Sequence, residues 1–562
     1  MKKFIYMLLA SLFLMTSCFK DEGNYDYEEM NPPHWLISST SPVSIVARHG
    51  QTVVFDASKY FVWDKDADAR EQEVRYEWIV NNKVVGEGKV FEIATDKLME
   101  ITGVKDFSSA SSTKGTFNVI EKSTGVKYMG KIQVWFYSKY SSDNWILMTD
   151  QGGKPGISAI RQKYSYDNGD EEVSYELIND AYDKSNGGVE LKGKPISMNW
   201  AYDKHISSQG SITVITDESA YELKASDLTY YGQIDGNEFL DGVPANFHPV
   251  ARADCDGTSQ AQPATFVATK DGQIYTRVMS LNYLGGKYLT EPYYVDEKGY
   301  KVTKFGNTLY DQPMIPCYDE KNHRIMIASV LTQQATNSDG EYFFYSTTRV
   351  KPLTERSYYF PVNDIPEGTK ILYLGLTNHV PNYNRRALHF TMFYNLPEKT
   401  QTMVTDFSVY TNTSNTNSGD YFSNSFALEN VPMLDSLSCI LSSGATYRAG
   451  YPSTDVAGRT TFYTVGSDIY YVQRIAYDMW GKEFYKFSLP QGVTISSRIT
   501  CLALSYLYCN EFIVGCENGD LFIFDITALN APKLVFKGNL GGKVMAARQL
   551  GERRPTSDKF NN

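Results

Sequence analysis

The sequence predicts an all-β protein, a small N-terminal β-sandwich followed by a β-propeller of about seven blades. Three observations carry that expectation. Short runs rich in Val, Ile, Tyr, Trp and Phe recur along the chain, several alternating apolar and polar residues. Turn residues separate these runs, and convincing amphipathic helices are scarce. Beyond Tyr140 the runs form similar units, each a strand, a turn with Asp or Gly, and a second strand. Residues 141–550 hold about seven such units of about 59 residues each, which is a four-stranded blade with long loops.

The first residues predict an address. Lys2 and Lys3 precede an apolar run, Phe4 to Met15, too short to span a bilayer as a helix. It ends in Met15-Thr16-Ser17-Cys18, a small residue before a cysteine, which is the lipobox pattern. Residues 1–17 then read as a lipoprotein signal peptide, and the Cys18 thiol takes a diacylglycerol. Two or three acyl chains suffice for stable anchoring, where one is marginal. The alternative is an ordinary secretory peptide with an incidental cysteine. Lys20, Asp21 and Glu22 follow at once, and they resemble the surface-export signal of Bacteroidota lipoproteins. That resemblance implies an outer-membrane lipoprotein facing the cell exterior; a plain solvated tether is the alternative. Residues 18–33 are polar, rich in Tyr and end in Pro32-Pro33, a linker composition.

The net charge is −11, and removing Lys2 and Lys3 with the signal peptide takes it to −13. This argues against nucleic acid, which needs a basic footprint. Cys255, Cys317, Cys439, Cys501, Cys509 and Cys516 contain no CxxC pair, which tells against a structural zinc site. Cys501, Cys509 and Cys516 lie in apolar runs and read as buried small hydrophobes. Sequence cannot pair any of them into disulfides. The 42 tyrosines read first as residues of half-exposed strands, and second as a binding cleft.

Residues 34–137 read as the sandwich. Its strands are Val43 to Val46, Thr52 to Phe55, Arg75 to Val80, Lys89 to Ala94, Gly115 to Glu121 and Lys127 to Phe136, with a hairpin turn at Asn81-Asn82. Asp64, Asp66 and Asp68 alternate as calcium ligands do. However, position six of that loop is Ala69 where Gly is needed, and position twelve is Arg75 where an acid belongs, so a solvated loop is expected.

The propeller units follow in order. Asn144 to Thr149 pairs with Gly156 to Arg161, Ile212 to Thr216 with Ala220 to Leu223, and Thr265 to Thr269 with Gln273 to Arg277. Arg324 to Ser329 follows a turn at Asp319 to Asn322, and Ile371 to Leu376 precedes Ala387 to Tyr394. Thr460 to Thr464 pairs with Asp468 to Val472, and Phe512 to Cys516 with Asp520 to Asp525. Weak identity between units leaves six to eight blades open, and tandem sandwiches are the alternative fold. Residues 411–425 are polar and low in complexity and read as a long exposed loop; residues 551–562 read as a disordered tail.

No HExxH, GxSxG, P-loop or nucleotide fingerprint is present. The seven histidines are scattered without metal-ligand spacing. No catalytic residue and no metal ligand is therefore expected. Trp145, Trp200 and Trp480 suit packing between blades, with ligand stacking as the alternative. Asp435-Ser436-Leu437 matches a short O-glycosylation acceptor pattern.

The order of parts resembles the PKD-like family lipoproteins of Bacteroidota. The parts are Cys18 with Lys20-Asp21-Glu22, the segment Gly23-Asn24-Tyr25-Asp26-Tyr27, the sandwich with Trp78 in Tyr76-Glu77-Trp78-Ile79-Val80, and the strand opening at Asn144-Trp145-Ile146-Leu147. Trp78 and the acid-rich loop before it resemble the central strand and loop of the PKD module, an immunoglobulin-like fold. The resemblance implies a non-catalytic accessory of a SusC/SusD-type importer, partnered by a SusC-like transporter and a SusD-like lipoprotein. It implies oligopeptides as ligand, with glycans as the alternative, and no cofactor beyond the lipid on Cys18. A surface hydrolase with its site on the propeller axis, and an adhesin or structural surface protein, are the competing readings.

Overall fold

The computed structural model describes residues 31–104, 112–140, 144–167, 170–203, 206–207, 209–255, 262–280, 284–308, 314–353, 362–379, 387–411, 417–419, 424–429, 431–444, 456, 458–474, 482–505 and 509–551. Two compact units divide the chain: residues 1–105 with 110–136, and residues 106–109 with 137–562. The Cys18, Lys20, Asp21 and Glu22 motif lies outside the described residues, as do His205, Trp480 and residues 552–562.

The first unit is a sandwich. Its larger sheet runs Val43–Arg48, Lys127–Tyr137, Ser112–Glu121, Val74–Val80, Lys83–Glu87, and the last four of these strands are antiparallel to their neighbours among them. Thr52–Asp56 pairs with Val90–Ala94, and His34–Trp35 with Phe61–Val62. Alternation decides what is inside: Val53 and Phe55 are buried while Thr52, Val54 and Asp56 are exposed. Asn81 and Asn82 join Val80 to Lys83 with φ of 51° and 59°. Two left-handed residues are what a two-residue hairpin of type I′ requires, and Asn tolerates them. Trp78 is the centre of the core. Its ring lies 4.5 Å from Phe117 and 5.1 Å from Phe55, and its Nε1 donates to the Gly88 carbonyl at 2.8 Å.

Part of the acidic loop is a helix, Ala67–Glu73, which corrects the expectation there. Ala, Arg, Glu and Gln favour helix, and tertiary partners fix it. Glu71 accepts from Trp63 Nε1 at 3.1 Å, Lys89 Nζ at 2.8 Å and the Tyr76 hydroxyl. Arg70 reaches Glu121 at 2.7 Å and Glu73 at 3.0 Å. Asp64 meets His34 at 3.7 Å at the exposed surface. The acids are thus spread over separate partners, and no group of three or more candidate metal ligands occurs among the described residues.

The second unit holds seven antiparallel sheets in chain order among the described residues. In the first, Trp145–Asp150, Pro155–Asp167 and Asp170–Ile178 are joined by the last strand of the chain, Lys543–Gln549. The second is Pro195–Ala201, Ser211–Thr216, Ala220–Lys224 and Tyr230–Gln233. The third and fourth are Pro249–Cys255, Ala264–Thr269, Ile274–Val278, and Met314–Asp319, Arg324–Thr336, Tyr342–Pro352. The fifth opens with Lys370–His379, Ala387–Asn395 and Met403–Thr411, the sixth runs from Ile440–Ser442 to Lys482–Lys486, and the seventh from Ile499–Leu504 to Lys533–Asn539.

The leading strands of these sheets touch in a closed circuit: Lys543–Gln549, Pro195–Ala201, Pro249–Cys255, Met314–Asp319, Lys370–His379, Ile440–Ser442, Ile499–Leu504, and back to Lys543–Gln549. A ring of sheets with one strand from each on the axis is a β-propeller. At the fourth position segment 304–308 inserts between neighbours: Gly306 N–H donates to the Pro316 carbonyl and Asn307 N–H to that of Leu374. Every strand–turn–strand unit read from the sequence corresponds to strands here. Gly272, Gly466 and Gly519 supply the left-handed turn residues at φ of 90°, 61° and 88°.

Two expectations are corrected. Residues 411–425 are not one loop, because Asn417–Gly419 and Asn424–Ala427 both pair with Met403–Thr411. An edge strand is held by its backbone, so Asn and Ser suffice there. Tyrosine is also less of a surface residue than read, for Tyr140, Tyr288, Tyr394 and Tyr463 are among the largest fully buried side chains. Of the six described cysteines all but Cys439 are buried.

Candidate functional site

The leading strands enclose an axial cavity of about 430 Å³. Residues from six of the seven sheets and from segment 304–308 line it, among them Trp145, Asn307, Leu441, Ser442, Leu502 and Arg548. Trp145 serves packing as well. Its Nε1 donates to Glu511 Oε2 at 3.0 Å, while Gln162 Nε2 donates to Oε1 at 2.7 Å and the Tyr175 hydroxyl to the same oxygen. Glu511 belongs to the seventh sheet and its three donors to the first, so one buried carboxylate fastens the seam where the ring closes. Trp200 also lines the cavity, with Nε1 on the Gln209 carbonyl at 2.9 Å.

Beside the cavity, between the second and third sheets, is a buried ionic cluster. Arg252 meets Glu222 at 2.5 Å and Asp254 at 3.1 Å. Arg277 reaches Glu222 at 3.3 Å, Glu238 at 3.2 Å and Asp203 at 3.5 Å, with its guanidinium 4.8 Å from the Tyr288 ring centre. Burial pushes the Glu222 carboxyl up, but Arg277 and Arg252 outweigh it and hold the group below the usual carboxylate range. Glu238 is moved up by burial and by the charge of Glu222. Each cation here is answered by carboxylates. The arrangement suits a clamp between neighbouring sheets, since breaking such a pair strands a buried charge. Sequence reading missed all of these residues. The available signal was a charged residue inside an apolar strand, as in Val250-Ala-Arg-Ala-Asp-Cys255 or Ile274-Tyr-Thr-Arg-Val278.

A Ser/His pair does exist. Ser408 Oγ and His389 Nδ1 lie 3.0 Å apart on adjacent strands of the fifth sheet. Both are buried in the sheet and neither lines the axial cavity. Of the other histidines, His49 meets Asp96 at 3.1 Å and His323 the Tyr318 hydroxyl at 3.1 Å. Asp435-Ser436-Leu437 forms an exposed turn, with Leu437 N–H on Asp435 Oδ1 at 2.8 Å.

A second surface stands out. Within the strand Arg324–Thr336, Met326 to Thr336 pairs with Tyr342–Pro352, but Met314–Asp319 covers only Arg324 to Ser329. The outer part of this hairpin is a two-stranded ribbon. It carries Tyr342, Phe343, Phe344 and Tyr345, which are 72%, 46%, 47% and 37% exposed. Four consecutive exposed aromatics on a two-stranded ribbon are costly in water and mark an interaction surface.

Among solved structures, the chain is similar to a quinoprotein alcohol dehydrogenase-like protein from Bacteroides thetaiotaomicron, at 12% identity and TM-score 0.33, covering 92% of this chain and 98% of that one. It is similar to AztD from Citrobacter koseri at 12% identity and TM-score 0.35, covering 84% and 98%. It is also similar to the β-propeller domain of Cps50 (Swd1) from Myceliophteria thermophila, at 8% identity and TM-score 0.34, covering 62% and 88%. No curated protein matches the chain. Residues 18–195 match the PKD-like family, a span that takes in the sandwich and continues through the three N-terminal strands of the first propeller sheet. The chain therefore carries a PKD-like family domain at residues 18–195.

Proposed function

We propose that this protein is a cell-surface lipoprotein, anchored through Cys18 and exported by the Lys20-Asp21-Glu22 signal, that acts as a non-catalytic binding and assembly accessory of a SusC/SusD-type importer for oligopeptides. In this reading the seven sheets are seven blades, and the propeller presents its loops and hairpins to the transporter complex. The observation that carries it is the aromatic ribbon Tyr342–Tyr345. Protein interfaces are enriched in aromatic residues at their centres. The state of the buried charges supports binding over catalysis: Arg252 and Arg277 are spent on carboxylates, and Ser408 and His389 are away from the cavity.

The test is a mild-detergent pull-down of the tagged, lipidated protein from its native outer membrane, with partners identified by mass spectrometry. Stoichiometric recovery of a TonB-dependent transporter and a SusD-like lipoprotein is expected, and Phe343→Ser/Phe344→Ser should lose them while remaining folded and anchored. Recovery of the protein alone from intact, anchored material overturns the assembly reading in favour of a free-standing hydrolase or adhesin.

A further inference from the structure

Arg548 sits on the axial strand Lys543–Gln549, opposite Ile146, and lines the cavity. Among the described residues its hydrogen bond is from Nη1 to the Ala547 carbonyl at 2.9 Å, and no carboxylate pairs with it. Its ionisable neighbours are the Cys501 thiol and the Tyr373 hydroxyl. Burial pushes both up, Cys501 to about 12, so both are neutral at pH 7. The guanidinium is sheltered from bulk water, and the surface it retains faces the cavity. This contrasts with Arg252 and Arg277, which the same fold supplies with Glu222, Asp254, Asp203 and Glu238. A sheltered cation without a counter-charge costs stability unless something else neutralises it.

The surroundings specify what that is. The Tyr373 hydroxyl accepts from the Ser442 N–H at 3.1 Å and also hydrogen-bonds the Ser442 and Asn307 side chains. Asn307 lies beside it, and both Ser442 and Asn307 line the cavity. The rest of the lining includes Trp145, Ile196, Leu441, Leu502 and Leu504. A guanidinium fork matches a planar carboxylate. The apolar wall favours a ligand with an apolar body over a hydrated inorganic ion, and the volume is in the range of small-molecule sites.

We propose that the axial cavity binds a small organic carboxylate with an apolar body, anchored on Arg548. This rests on the cavity being a ligand site and does not depend on an importer partner.

The experiment is equilibrium dialysis of the full mature chain against an equimolar mixture of N-acetyl amino acids and tripeptides with free carboxylates, read by mass spectrometry, with the corresponding amides in parallel. At least one carboxylate should be retained, and its amide at least about tenfold less. Arg548→Met should abolish retention, and Arg548→Lys should keep part of it. Retention of none, equal retention of the amide, or displacement by inorganic phosphate as efficient as by free carboxylate overturns the proposal. So does unchanged retention by Arg548→Met with a native circular dichroism spectrum. If that variant does not fold, unchanged retention by Arg548→Lys overturns it instead. The pull-down is independent of these outcomes, so either reading can fail without the other.

Discussion

Single residues show how much of this molecule is decided by aromatic packing. Trp78 contacts Phe55, Tyr60, Phe91 and Phe117 within 6.2 Å between ring centres, and satisfies its indole N–H on Gly88. Gly86 opposite it cannot be enlarged, because a Cβ there would lie 2.3 Å from the Phe91 ring. Trp78→Ala should cost about 3–5 kcal/mol, the range for deleting a large buried aromatic. Urea unfolding of the full chain, followed by a probe in the sandwich, measures it; a loss below about 1 kcal/mol would mean that the site refills on truncation. The thiols are the opposite case. Cys439 is pushed up to about 11 and Cys516 to about 12, each chiefly by burial, so they pack as small apolar groups and do not act as nucleophiles.

At the scale of elements, local signals and long-range partners divide the work. The Asn81-Asn82 turn is local, since two residues that tolerate positive φ set the hairpin register. The helix Ala67–Glu73 draws on local propensity as well, although the alternating acids at its start read as a solvated loop. The seam between the first and seventh sheets is not local at all. Glu511 gathers Trp145, Gln162 and Tyr175 from more than 300 positions away in the chain. Glu511→Ala leaves these buried donors without their acceptor and should destabilise the propeller by about 2–4 kcal/mol, lowering the thermal midpoint while the sandwich transition stays in place. Glu511→Gln should recover part of that, because it keeps one acceptor oxygen. Equal stability of Glu511→Ala and the native chain would show that the seam is held by apolar contacts alone.

The second unit is a ring whose closure joins the last described strand to the first sheet of that unit. The charges of the chain give it a pH dependence of known sign. Glu222, Asp296 and Asp520 lie below their ordinary values: Arg277 and Arg252 outweigh burial at Glu222, Arg324 holds Asp296, and Asn539 and Asn518 hold Asp520. For such groups the unfolded chain binds protons first. Their stabilisation is complete above the unfolded carboxylate value, about 4.3 for Glu, and is lost as pH falls towards their folded values. Glu238, moved up by burial and by Glu222, contributes in the opposite sense: its share is present below about 4.3 and fades as pH rises through its folded value. Asp56, Glu71, Glu121, Glu190 and Glu320 are depressed as well, so the depressed carboxylates outnumber the raised Glu238 and predict a net loss on acidification. Thermal unfolding should shift down between about pH 5 and pH 3; a midpoint unchanged over that range would contradict the assignment of these carboxylates as paired anions.

By itself the sequence determined the strands, their turns and their grouping. Those depend on period-two alternation and on residues that accept positive φ, which are local properties. It also placed the sandwich ahead of the repeated units, with Trp78 at its centre. Ring closure was decided only by tertiary structure, because the strand that completes the first sheet lies at the far end of the chain. So were the fates of the charges. Arg252, Arg277 and Arg548 look alike in sequence, each a cation in an apolar strand. Two of them fold against carboxylates and the third faces a cavity without one. Neighbours brought together across sheets set the energy of a buried charge, and no spacing along the chain encodes that neighbourhood.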